Sequence, residues 1–216
     1  SIFTGLNNPK ILSLTSVRFD EYFGFTDREV RDMLAYYGLE EKYESVKSWY
    51  DGYRFGNVDV YCPWDVINYC DELTDDIDTE PKDYWSNTSG NDVVRHFIEN
   101  TDMGPAENEI EELIAGDAVT KVIREELTYN RLYDSAENLW SVLLMTGYLT
   151  YRGKPEGKKY RLAIPNMEIR NIFTEQIMSM FLKKVAGDGE HFNAFCEALK
   201  NGEAAEAENL FMDYLN

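Results

Sequence analysis

Residues 49 to 69, "WYDGYRFGNVDVYCPWDVINY", gather two Trp, four Tyr, one Phe, one Arg and one Pro into a single short stretch. Aromatic faces of this density can stack on sugar rings or bases, or they can fill a core, and the composition of the stretch allows both. A second stretch reverses the sign of the chain. Between Arg152 and Arg161 stand Arg152, Lys154, Lys158, Lys159 and Arg161, against the single acid Glu156. Lys154, Lys158, Lys159 and Arg161 are the candidates for contact with a nucleic-acid backbone. The competing reading is a solvated turn, or a docking face for an acidic neighbour.

Other chemistry lacks its parts. A nucleophile needs a base beside it, and there is no G-x-S-x-G turn and no Cys with a His at a credible spacing. Neither G-x-x-x-x-G-K-[ST] nor G-x-G-x-x-G occurs, so the usual cradle for nucleotide phosphates cannot be built from this chain. No catalytic residue and no metal ligand is assigned, and the chain by itself is expected not to be an enzyme. His96 and His191 are solitary and read as core or surface residues. The acidic run "TDDIDTEPKDYW" lacks the Gly and closing Glu of a calcium loop and reads as a solvated linker. Carboxylates are so abundant that pairing two of them as acid and base is uninformative.

The balance of 40 acidic against 21 basic residues, net -19, repels phosphate backbones wherever positive charge is not locally gathered. Three cysteines, Cys62, Cys70 and Cys196, are too widely spaced for a zinc knuckle and odd in number, which suits a reducing cytoplasm. The longest apolar run, Leu139 to Leu149, is interrupted by Ser, Thr and Gly and is far short of the roughly 20 residues a membrane span requires.

The elements that must position these groups follow from spacing. Thr26 and Glu29 form a capping-box pattern, Val30, Met33, Leu34 and Tyr37 follow at helical intervals, and Gly38 suits a left-handed C-terminus. A second helix is expected over about Glu40 to Tyr50. Two short strands flank the Gly56-Asn57 turn, and Pro63 opens a third helix to about Leu73. Ser89 or Asn91 caps a further helix. "SAENLWSVLLMTGYLT" reads as an apolar helix stopped by Gly147, "YLTYRGKPEGKKYRLAIP" as a hairpin, and Asn166 caps an amphipathic helix. Helix, hairpin and helix outline a winged helix. The fold is therefore expected to be mainly α, a helical lid followed by a winged-helix-like module with a small β-hairpin. The opening "SIFTGLNNPK" reads as a strand cut from its sheet, so the chain is expected to be a piece of a longer protein.

Four stretches carry a family resemblance: "SIFTGLNN", "WYDGYRFGNVDVYCPWDVINY", "YWSNTSGND", and "LWSVLLMTGYLT" with its follower "LAIPNMEIRNIF". In this order they resemble the family of predicted AAA-ATPase-like proteins, whose members usually end in a PD-(D/E)XK-type nuclease domain. The resemblance implies a remnant of the ATPase core at residues 1–20, a helical lid at 21–130, a winged-helix-like module at 131–185 and a helical linker at 186–216. The implied partners are the upstream ATPase core and the downstream nuclease-like domain of the same chain, with DNA at the wing. ATP and Mg belong to the parent protein, and none is expected to be held by this piece alone. The lid would lend Pro63, Arg54 and Tyr53 to nucleotide, while Trp49, Tyr50, Tyr61 and Trp64 pack the lid. One departure is Cys62, where the family pattern suggests Asn before the Pro. A different reading keeps the chain as a free-standing module whose aromatic cluster binds a glycan or single-stranded nucleic acid.

Overall fold

A computed structural model describes residues 12–85, 92–99, 106–124, 135–187 and 189–215. The motif "SIFTGLNN" and the expected cap residues Ser89 and Asn91 lie outside the described residues. The molecule is mainly α, with two small antiparallel sheets. Among the described residues no helix is long and apolar enough to cross a membrane.

The N-terminal lobe is built as the spacing dictates. Helix α1 (Asp27–Tyr37) starts on a full capping box: Glu29 N–H donates to Thr26 Oγ1, and Thr26 N–H donates to Glu29 Oε2 at 2.8 Å. It stops at Gly38, whose positive φ lets the final carbonyls be satisfied. The expected second helix divides into a 3-10 turn (Glu40–Lys42) and α2 (Tyr43–Tyr50). A hairpin of β1 (Tyr53–Phe55) and β2 (Val58–Val60) leads into α3 (Pro63–Asp75), with Pro63 in its first turn. Val30, Leu34, Val46, Tyr50, Tyr61 and Tyr69 form a closed core. Asp27 ties its rim together. Burial pushes this carboxyl up, but hydrogen bonds from Tyr43, Arg31 and Tyr61 outweigh that and hold it at about 2. The acidic linker after α3 is fastened rather than free, because Tyr69 and Tyr50 donate hydroxyls to the carbonyls of Thr79 and Lys82.

The second lobe holds α4 (Asp92–Glu99), α5 (Ala106–Ala115), β3 (Val119–Val122), α6 (Ala136–Met145), β4 (Thr150–Glu156), β5 (Lys159–Ala163) and α7 (Met167–Gly187). Its sheet runs in the order β3-β5-β4, all antiparallel. Helix α6 is buried almost all round, so it lies in the middle of the core with Phe97, Leu113, Tyr151, Leu162 and Phe173. Its one buried hydroxyl, on Ser141, accepts from the Arg124 amide at 3.0 Å. One expectation changes here. Strand β3 was expected as part of a helical lid: four residues with one Lys and one Thr carry too little alternation to announce a strand, and pairing with β5 makes it one. Buried residues from Val30 to Tyr84 form one cluster and those from Val94 to Phe173 another. Helices α8 (Gly189–Asn201) and α9 (Ala204–Leu215) pack as a pair on α7.

Candidate functional site

The aromatic stretch forms the seam between the two lobes. At Gly52, with φ +105°, an added Cβ would sit 2.2 Å from the carbonyl oxygen of Pro165, so only glycine lets the lobes approach this closely. Beside it Arg54 N–H donates to Thr150 Oγ1 at 2.9 Å, and Tyr151 donates its hydroxyl to the Gly56 carbonyl at 3.2 Å. Two helix N-termini converge on this seam: α3, headed by Pro63, and α7, capped by Asn166, whose Oδ1 accepts from Ile169 N–H at 3.1 Å. The Asn166 Nδ2 faces the Tyr53 hydroxyl without forming a well-aligned hydrogen bond.

Each of those helices brings an acid into the interior. Asp65, in the first turn of α3, and Glu168, in the first turn of α7, are both 0% exposed and interact directly. Of their four carboxyl oxygens one accepts a hydrogen bond from an N–H, Glu168 Oε1 from Trp85 at 2.8 Å. Two adjacent carboxylates in a dry site cannot both ionise. Burial first, and then the Asp65 charge, hold Glu168 well above the ordinary carboxyl range, while burial raises Asp65. The pair therefore retains a shared proton at neutral pH. Each acid also sits at a positive helix end, which lowers the cost of the remaining charge.

The neighbours are kept neutral too. Burial, aided by Asp65, pushes the Cys62 thiol up to about 12, which leaves it a poor nucleophile. Burial raises Tyr53 far above the ordinary phenol range. Asp83, on the linker, is pushed up to about 6 by burial and by Glu175. The seam can take up and release protons, but with both acids at 0% exposure it presents no surface to a substrate.

The residues expected to meet nucleotide do not converge on one point. Tyr53 and Arg54 are consecutive on β1 and leave opposite faces of the strand. Tyr53 packs inward beside Trp85 and Gly147, whereas Arg54 pairs with Asp59 at 3.1 Å across the hairpin. Pro63 heads α3 next to Trp64, which is 56% exposed. Tyr50, Tyr61 and Tyr69 are core residues. On the basic hairpin Lys154, Lys158, Lys159 and Arg161 are all exposed, and Arg161 alone of the four turns into a cleft beside the start of α7. Sequence reasoning missed Asp65, Glu168 and Arg170. The first two announce themselves only as first-turn acids, which most helices carry, and their pairing spans about a hundred residues. Among the described residues no group of His, Cys, Asp and Glu could hold a metal ion.

No family model matches the chain, and no solved structure matches it. A similar protein is the "Uncharacterized protein in vnfD 5'region" of Azotobacter chroococcum mcd 1, 26% identical over 193 residues that cover 86% of this chain. The matched region is 33% of that relative, so the chain spans about a third of its length.

Proposed function

We propose that this chain is the lid and winged-helix-like portion of an AAA-type ATPase, a relay that couples nucleotide state to a C-terminal effector and performs no chemistry itself. The observation that carries this reading is the seam. The densest aromatic stretch of the sequence fastens two lobes through Gly52, the Arg54 amide on Thr150 and the Asp65–Glu168 pair, while Tyr50, Tyr61 and Tyr69 fill the first lobe's core, as a relay requires, rather than lining an open groove. Tyr50, Tyr61 and Tyr69, buried in this way, cannot stack on a glycan or a base, and Trp64 is the one exposed ring of the stretch, which counts against a free-standing module built on an aromatic groove. The winged-helix reading is supported by a first strand, β3, that returns beside the second strand of a hairpin whose preceding helix is α6. Arg54 and Pro63 are proposed to face nucleotide only when the core is present; Pro63, with exposed Trp64 beside it, offers an apolar edge suited to a base. The exposed basic hairpin favours a second reading, DNA contact through Lys154, Lys158 and Lys159.

Calorimetry with ATP and ADP tests the relay, on the chain alone and on the chain extended upstream by its parent sequence. The extended protein should bind with Mg, and Pro63→Gly and Arg54→Gln should weaken that binding. Absence of binding by the extended protein would sink the ATPase reading. Salt-sensitive DNA binding that survives Lys158→Glu with Lys159→Glu would remove the second.

A further inference from the structure

Beside the first turn of α7 opens a cleft of about 450 Å³, and three guanidinium groups line it: Arg152 from β4, Arg161 from β5 and Arg170 from α7. Arg152 and Arg161 are direct register partners across the two strands, a like-charge pairing that costs stability in a sheet. In a chain with 40 acidic residues such a pairing is easily neutralised, yet among the described residues no carboxylate lies within ion-pair distance of any of the three. Their protein contacts are few. Arg152 reaches the Pro165 carbonyl at a long 3.5 Å, and the buried Nε of Arg170 has no acceptor. The backbone at Gly116 supports the Arg170 guanidinium, since an added Cβ there would lie 3.1 Å from it. Asp117 and Ser48 also line the cleft, and the positive end of α7 adds to its sign.

These groups share one unmet need, an anion with several oxygens and more than one charge. Guanidinium forks match phosphoryl oxygens in pairs, and the volume suits a small molecule. The strongly negative remainder of the chain disfavours a long polyanion but tolerates a compact one that enters a local positive pocket. We propose that this cleft binds a small phosphate-bearing molecule, with its phosphoryl oxygens held by Arg152, Arg161 and Arg170. The site stands whether or not the chain is part of an ATPase.

The test is calorimetric titration of the chain with inorganic pyrophosphate and with ATP at constant ionic strength, with citrate as the carboxylate control. Saturable binding of pyrophosphate is expected, at least about tenfold weaker in Arg161→Gln and in Arg170→Gln, and unchanged in Lys200→Gln, an exposed residue of α8. ATP equal to pyrophosphate would show that phosphate alone is read; ATP tighter by about tenfold would identify a nucleotide as the source. Arg161→Gln should also melt no lower than the parent chain in phosphate-free buffer, because it removes a like charge. The proposal is overturned by no saturable binding of either phosphate, by citrate binding as tightly, or by pyrophosphate affinity that survives both arginine changes. It is equally overturned if the same variants lose binding of duplex DNA while pyrophosphate never binds.

Discussion

The two sides of the first turn of α7 face the same electrostatic problem and meet it differently. On the inner side Glu168 is pressed against Asp65 at 0% exposure; on the outer side Arg170 joins Arg152 and Arg161 around an open cleft. Where solvent is excluded, a retained proton relieves the repulsion, and the group's charge is what yields. Arginine cannot yield its charge, so its crowding is tolerable only where solvent or a counter-anion can reach it. Burial, more than the sign of the charges, decides whether crowded groups become a neutral joint or a receptive pocket. One residue serves both sides: Asn166 caps α7, lines the cleft and abuts Tyr53.

The comparison breaks most severely if the lobes are forced apart. Gly52→Ala places a methyl group against the Pro165 carbonyl at a positive φ, and we expect a loss of about 3 kcal/mol in denaturant unfolding. Glu168→Gln sharpens it next. A folded-state pKa raised above the ordinary 4.5 means that the native chain holds the extra proton, so its contribution is fully present below 4.5 and is lost as pH rises. Asp83, raised to about 6, adds a contribution of the same sign. Glutamine keeps an acceptor for Trp85 and a donor for Asp65 at every pH. The variant should therefore gain about 2 kcal/mol over the parent near pH 8 and nothing near pH 5, read from unfolding midpoints at both. An equal change at both pH values would show that the pair holds no proton.

Asn166→Ala removes the α7 cap and should cost about 1 kcal/mol while also weakening pyrophosphate binding; Thr26→Ala, at the α1 cap, should cost about as much and leave binding untouched. The smallest effect belongs to the hairpin tip. Lys158→Gln and Lys159→Gln are expected to shift stability by less than about 0.5 kcal/mol, measured by thermal melting.

What could be read from the chain was local. Thr26 with Glu29 and Gly38 bounded α1, and Pro63 opened α3, because caps and proline act within a turn of where they stand. The hairpin appeared because Gly157 and the alternation around it are contiguous. Strand β3 was missed because its identity comes from a partner about forty residues away. The candidate sites were half legible. A basic hairpin is a compositional signal, and it marked Arg161 as a candidate for nucleic-acid contact; Arg170, its neighbour in the cleft, lies in a helix whose sequence looks ordinary. The Asp65–Glu168 pair was invisible for the same reason, since only the meeting of two helix ends creates it.

Helix α7 is 21 residues long, so its far end stands about 30 Å from the seam. Its first half is packed against α2, α4 and α5, with its start beside Gly52 and Pro165, and α8 and α9 lie against its side, so it has the form of a lever arm. A tilt of about 5° at its start sweeps the distal end through roughly 3 Å, comparable to the rise of two helical residues. A tilt of that size at the start of α7 would be carried to α8 and α9, which pack against it.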